Sequence, residues 1–398
     1  MNAARRLNPF ALGGVVTGKR FAGRVREIGR LQQIARGGQH AYLFAPRRYG
    51  KTSLLREGLG DAERAKRQVV VWCDCLPTTD AAGLALRLAE QVTLAARRGR
   101  VSEWIKRAVS LFTRLRPVLT VGPDGDPRVS VDVAQAGAAA VRSLEDAIAA
   151  VGRLHTLRRL PVVLIFDEFQ QIAEWDTKHQ TEAVLRTAIQ HFEGVSCIFA
   201  GSERHLLEQM FADRARPLFK LAAPFPLGRL SREEIEPWLA ERLGETGLTL
   251  ESEGLDRLLV TTAGHPWATQ YLAHFVWEVA MAARAARITA DLVNASLRQA
   301  VEAGDTIYAR DYAALTPSQR QVLAAIATDP TRKPLAAAYL RKHDLPAKST
   351  VGQSLRSLLE KGYLERDELV YVASDPLFGE WMRRLRPVSS SVTIPVDR

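Results

Sequence analysis

The sequence predicts an α/β domain on a buried parallel sheet, then a helical unit, then a winged helix-turn-helix. Three features carry that prediction. Runs at 41–45 (AYLFA), 69–75 (VVVWCDC), 162–167 (VVLIFD) and 195–200 (VSCIFA) are apolar without polar alternation, which is how strands buried on both faces of a parallel sheet read. Stretches with helical spacing, such as SLLREGLGDAERA, AGLALRLAEQVTLAARR and TEAVLRTAIQHFEG, stand between the runs, the alternation expected of a sheet with right-handed crossovers. Strand signals fade from Ser231 onward, so helices dominate the remainder.

Within a first domain spanning 1–230, the interval 118–131, VLTVGPDGDPRVSV, breaks the rhythm. Two alternating segments flank the turn-forming GPDGDP, which predicts an inserted β-hairpin. SREEIEPWLAERLGETG, EGLDRLLVTTAG and WATQYLAHFVWEVAMAARAA predict a small helical domain over 231–310. A third unit over 311–386 opens with ALTPSQRQVLAAIATDP and continues with a helix near PLAAAYLRKH, another over 349–361 and the hairpin-like GYLERDELVYVAS, the order of a winged helix. The tail 387–398, PVSSSVTIPVDR, is expected to be disordered.

At 398 residues, 46% hydrophobic and 25% charged, the chain has the composition of a soluble globular protein. No apolar run approaches the roughly 18 residues of a membrane span. The N-terminus MNAARRLNPFALGGVV carries positive charge without a sustained apolar core, so it does not read as a secretory signal, and the cytoplasm is the expected compartment. Cys73, Cys75 and Cys197 are too few for a disulfide framework. The one-residue gap between Cys73 and Cys75 is poor zinc spacing, and buried small hydrophobes are expected. The net charge of +11 suits a polyanionic partner, although the basic residues are scattered through an Ala- and Arg-rich chain.

The segment LFAPRRYGKTSLL has the spacing Ala45-x4-Gly50-Lys51-Thr52. A phosphate-binding loop wraps phosphates with backbone N–H groups and the N-terminus of the next helix. Ala45, Pro46, Arg47, Arg48, Tyr49, Gly50, Lys51, Thr52 and Ser53 are therefore the candidate nucleotide-binding residues. Gly50 would allow close backbone approach, Lys51 would reach the β- and γ-phosphates of ATP, and Thr52 would bind Mg²⁺. Alanine at the usual first glycine is tolerable if that residue has a negative φ. LPVVLIFDEFQQI places Asp167 and Glu168 at the end of an apolar strand. A parallel neighbour would bring them beside the phosphates, Asp167 for Mg²⁺ and Glu168 as general base. A third strand, VSCIFAGSERH, ends at Gly201 and Ser202, and Ser202 is the candidate for sensing the γ-phosphate or orienting water, with a plain strand-end turn as the alternative. The candidate catalytic residues are thus Lys51, Glu168 and Ser202, and the metal candidates are Thr52 and Asp167.

NPF with GKRFAGRVREIGRL, then APRRYGKTSLL, FDEFQ, FAGSERHLLEQMFADRARPLFKLA, TAGHPWATQYL and ASDPLFGEWMRRL resemble, in that order, the archaeal/bacterial P-loop ATPase family, which is related to AAA+, STAND and origin-recognition ATPases. The resemblance implies an AAA+-type sheet, a helical lid and a C-terminal winged helix. It also implies that Phe21, Gly23, Arg24 and Glu27 lie near the adenine, and that Gly264, His265 and Pro266 form a lid motif near the phosphates. The candidates for an arginine finger are only Arg214, Arg216 and Lys220, and a lysine lacks the planar fork of arginine. Slow hydrolysis or nucleotide-controlled switching is the expected behaviour.

In the helix after Ala347, Val351, Leu355, Leu358 and Leu359 share a face that should pack inward. Ser349, Gln353, Arg356, Ser357 and Glu360 lie on the other face, with Lys348 and Lys361 at its ends. Such a face suits the major groove, with Arg366, Arg383, Arg384 and Arg386 toward phosphates, although Glu360 opposes this. Two readings stay open: a DNA-associated ATPase acting on double-stranded DNA, or a signalling switch or scaffold whose winged helix binds a protein partner or another copy of the chain. No membrane partner is expected.

Overall fold

Strands β1 (Ala41–Phe44), β2 (Val69–Asp74), β3 (Arg116–Val121), β4 (Pro127–Asp132), β5 (Val162–Asp167), β6 (Val195–Gly201), β7 (Ala223–Pro226), β8 (Thr249–Leu250), β9 (Arg287–Ile288), β10 (Leu364–Asp367) and β11 (Val370–Ala373) follow in chain order. The computed structural model describes residues 7–97, 101–121, 127–132, 137–367 and 369–385. The chain divides into two units, Arg24–Leu227 and Met1–Gly23 with Gly228–Arg398.

In the first unit a five-stranded sheet runs β2-β5-β6-β1-β7, with every neighbour parallel. The β-branched residues of VVLIFD bury both faces of β5, and all of β6 is buried too, as the uniform apolar runs require. Register decides where the polar ends fall. Asp74 lies across from Asp167 and Phe44 across from Gly201, so the chain leaves β1, β5 and β6 along one edge. Below that edge Phe166, Phe199 and Phe169 pack with centroids 4.7–5.5 Å apart, each burial contributing roughly 1.5–3 kcal/mol. Cys73, Cys75 and Cys197 are free and buried. The fifth strand, β7, is APFP, where only Phe225 is buried. Proline is tolerated there because β7 is at the sheet edge, and the prolines hide the strand from a pattern reading.

β3 and β4 pair antiparallel, with Val118 opposite Ser130 and Leu119 opposite Val129. The expected hairpin is thus formed, while its turn at 122–126 lies outside the described residues. Asp146 anchors the approach to it. Its carboxylate accepts from the backbone N–H groups of Thr113, Arg114 and Leu115 at 2.8–3.1 Å. It also accepts from the Thr113 hydroxyl at 2.8 Å and from Arg153 at 2.6 Å.

In the second unit one hydrophobic core runs from Phe10 through Leu239, Val276 and Leu297 to Val351, Leu358, Trp381 and Met382. Helical-domain and winged-helix residues therefore share a core. Capping fixes the starts of the helices. Ser231 with Glu234 opens Arg232–Gly244, and Thr316 with Gln319, followed by Pro317, opens Pro317–Thr328, both capping boxes. Arg229 binds Glu365 on β10, the carbonyl of Ala263 at 3.2 Å and that of Ala373 at 3.4 Å, tying the β10–β11 hairpin to the turn before His265. Residues 7–23 also belong here rather than with the sheet. Phe10 is buried edge-on to Trp238 at 5.4 Å, Asn8 donates to the His274 carbonyl at 3.2 Å, and Trp238 donates to the Lys19 carbonyl at 3.2 Å. The first unit begins at Arg24. The tail 387–398 and Arg386 lie outside the described residues.

Candidate functional site

The loop after β1 is shaped by two left-handed residues. Arg48 has φ 67° and Gly50 φ 83°, while Ala45 stays outside the left-handed region. Alanine therefore costs nothing at the position where the usual pattern has glycine. The Ala45 N–H donates to the Gly201 carbonyl at 3.4 Å, fastening the loop to β6. Gly50 is the N-cap of the helix Lys51–Arg64, and no side chain caps it. Its first-turn N–H groups are those that a bound anion satisfies at a helix N-terminus.

Lys51 is buried, and its ammonium donates to the carbonyls of Ala45 at 3.0 Å and Pro46 at 3.4 Å. Burial lowers its pKa, while the charges of Glu168 and Asp167 act in the opposite sense. The Thr52 hydroxyl donates to Asp167 Oδ2 at 3.3 Å across a separation of 115 residues. Burial raises the Asp167 pKa, and the neighbouring Glu168 charge adds to the rise. Lys51, Thr52, Asp167 and Glu168 thus meet at the C-terminal ends of β1 and β5, which are not direct neighbours as the sequence suggested but are separated by β6. Tyr49 and Ser53 are buried, Pro46 is half-buried, and Arg47 and Arg48 are exposed.

Ser202 follows β6, and its hydroxyl donates to Glu168 Oε2 at 2.9 Å. Glu168 itself has φ 51°, a left-handed backbone rare for a long side chain. Sequence reasoning passed over Gln170, which is buried and donates to both Glu168 Oε2 and Ser202 Oγ. The signal was present in FDEFQ, two residues after the glutamate.

The residues assigned by family resemblance are explained locally by their own contacts. Arg24 is buried, starts the helix Val25–Arg36 with φ 65° and pairs with Glu27 at 3.0 Å. Phe21 is half-buried and ends a short 3-10 turn. In the second unit, Gly264 has φ 71°, and a Cβ there would meet the Leu230 carbonyl oxygen at 2.2 Å. His265 is buried, accepts from the Ala268 N–H at 3.2 Å and caps the helix Pro266–Ala282, with Pro266 in its first turn.

Among the finger candidates, Arg214 and Lys220 are exposed. The Arg216 guanidinium pairs with the fully buried Glu182, with Nε 3.2 Å from Oε2.

On the helix Lys348–Glu360, Val351, Leu355 and Leu358 are buried, and Ser349, Gln353, Arg356 and Glu360 are exposed, as is Lys361 just beyond. Ser357 departs from the expected outward face, because its hydroxyl accepts from Gln319 Nε2 at 2.9 Å. Arg366 stacks over Tyr371 at 4.6 Å. Arg383 and Arg384 lie 3.1 and 3.6 Å from Glu380.

Residues 306–384 match a family model described as "Probable winged helix domain". No curated protein matches the sequence. Among solved structures, the Walker-type ATPase of Pyrococcus abyssi is similar with a TM-score of 0.63 at 16% identity, over 94% of this chain and 99% of that one. The ORC2 protein of Aeropyrum pernix, in its ADPNP–ADP complexes, is similar at TM-score 0.51 and 11% identity, over 94% of this chain and 98% of that one. The ADP form of the same protein gives 0.50 and 13%, over 95% and 98%. At such identities the likeness shows the fold, which is an AAA+-type P-loop fold with a C-terminal winged helix, as the sequence predicted.

Proposed function

We propose that this protein binds ATP with Mg²⁺, hydrolyses it slowly, and uses the nucleotide to control association of its winged helix with double-stranded DNA. The carrying observation is the Thr52–Asp167 contact at 3.3 Å, which joins the phosphate-loop helix to the carboxylate-bearing strand. The chemistry of the site fits the ligand. An uncapped helix N-terminus and a buried lysine suit phosphates. Among the described residues no group of three or more His, Cys, Asp or Glu side chains could hold a metal alone. Thr52 and Asp167 would hold Mg²⁺ together with substrate phosphates, where the ion neutralises phosphate charge. Glu168 is the base for the attacking water. The ADPNP–ADP complexes of the similar ORC2 protein support a nucleotide on this fold.

Slow turnover follows from the finger candidates. With Arg216 held by Glu182, Arg214 and Lys220 are the remaining cations for a neighbouring subunit's nucleotide, should the chain self-associate. The exposed Ser349, Gln353, Arg356 and Lys361 support groove contact. No helix among the described residues is long and apolar enough to cross a membrane, and three free thiols suit the reducing cytoplasm.

Titration against duplex DNA at low salt, with and without a non-hydrolysable ATP analogue, tests the reading. We expect affinity that changes with the analogue and falls as salt rises. Undetectable binding in both conditions would remove the DNA role and leave the protein-docking switch. The exposed Glu360 and the Arg366 side chain stacked on Tyr371 favour that second reading.

A further inference from the structure

Beyond the end of β5 lies a buried amide, that of Gln170, which the hydrolysis reading does not use. Gln170 is 4% exposed. Its Nε2 donates to Glu168 Oε2 and, at 3.2 Å, to Ser202 Oγ, and Ser202 in turn donates to the same Glu168 oxygen at 2.9 Å. Two donors therefore converge on one oxygen of one carboxylate. The orientation of the amide is fixed by charge, because the reversed group would aim a carbonyl oxygen at a carboxylate. Its Oε1 is buried without a hydrogen-bond partner. That oxygen occupies a slot that exists because residue 201 is glycine: a Cβ at Gly201 would lie 2.3 Å from Gln170 Oε1 and 2.8 Å from Leu207 Cδ1. A buried polar atom left unsatisfied in a native structure calls for an explanation, and here the amide is oriented for its other end.

We propose that Gln170 is a positioning residue: with Ser202 it pins Glu168 Oε2, so that Oε1 is the oxygen that takes the proton from the attacking water. This rests on the hydrolysis reading above. In the step it serves, a water O–H bond breaks and its proton passes to Glu168 Oε1. The water oxygen bonds to the γ-phosphorus, and the bond from phosphorus to the bridging oxygen breaks with its electron pair leaving on ADP. Pinning acts on geometry, since a carboxylate free to rotate presents neither oxygen consistently.

The test compares the wild type with Q170L, Q170E, G201A and E168Q in the full chain. The measurements are single-turnover ATP hydrolysis and ATP affinity. Q170L is expected to lower kcat about 10- to 100-fold with ATP affinity within about twofold, the split of a residue that positions the base rather than the nucleotide. Q170E, which sets a carboxylate against Glu168 in place of a donor, should lower kcat at least as far. G201A should reproduce Q170L, because its methyl displaces the carboxamide; Q170L stands by itself if G201A does not fold. Wild-type kcat in Q170L would overturn the proposal, as would a loss of ATP affinity that accounts for the whole defect. Equal turnover in wild type and E168Q would instead remove the hydrolysis reading and the proton step with it.

Discussion

Lys51 is buried and Arg229 largely covered, each near carboxylates and one in each unit, and they are used in opposite ways. Arg229 is closed upon its neighbours. Its guanidinium meets Glu365, lies 3.4 Å from Asp367, and donates to the carbonyls of Ala263 and Ala373. Lys51 donates to two carbonyls of its own loop, while Asp167 takes a hydroxyl and Glu168 takes Ser202 and Gln170. The carboxylates at the β5 end thus sit near a lysine without closing on it, and burial and mutual repulsion push Asp167 upward. A charge assembly that serves the fold satisfies itself. One that serves a ligand holds charges apart at a cost in stability.

Stability measurements can break this contrast. Arg229→Ala should destabilise the folded chain by about 3–5 kcal/mol in urea unfolding, whereas joint replacement of Arg229 by Met and Glu365 by Leu should be near neutral. An equal loss in both would mean that the pair itself, rather than the uncompensated charge, carries the stability. Lys51→Ala should weaken ATP binding by about 100-fold, near 3 kcal/mol, the scale of lost charge-assisted hydrogen bonds. Retained affinity by fluorescent-nucleotide titration would put the phosphate site elsewhere.

Asp146 sharpens the comparison from the structural side. Burial pushes its carboxyl up, but the N–H groups of Leu115, Arg114 and Thr113 more than offset this and hold it at about 2. A folded pKa below the unfolded value gives stability that is present above pH ~4 and lost as pH falls through about 2. Asp146→Asn should be less stable at neutral pH, and its difference from wild type should shrink over that acid window. Asp167 has the opposite sign. Its raised pKa means that ionisation costs stability in the ligand-free protein, so the penalty appears as pH rises above the unfolded carboxylate range. Asp167→Asn should therefore raise the ligand-free unfolding midpoint by the equivalent of about 1 kcal/mol while losing Mg²⁺-dependent nucleotide binding. Destabilisation by Asp167→Asn would place Asp167 with the structural pairs.

Much of the site was legible because its residues interrupt apolar runs. Asp167 closes VVLIFD with Glu168 next to it, and Gly50-Lys51-Thr52 follow AYLFA after four intervening residues. Other features depend on partners far away in sequence. Arg216 looked available until Glu182 was found opposite it, and Ser357 looked solvent-facing until Gln319 met it. β7 was hidden by Pro224 and Pro226 in a strand of four residues, and β8 and β9 are two residues each, too short for any period to register. Residues 7–23 carried no sign of which unit they join, because that depends on Phe10 finding Trp238. Gln170 was in plain view, but its role is written only in the Gly201 slot beside it.

The central claim is that the shared edge of β1, β5 and β6 binds and hydrolyses ATP with Glu168 as base. Single-turnover hydrolysis of Mg²⁺–ATP by the wild type and by Glu168→Gln, with the affinity of each measured alongside, tests it directly. The variant should bind ATP as tightly as the wild type and hydrolyse it about 100- to 10,000-fold more slowly, the span of general-base contributions. Equal hydrolysis rates, or no nucleotide binding by the wild type, would contradict it.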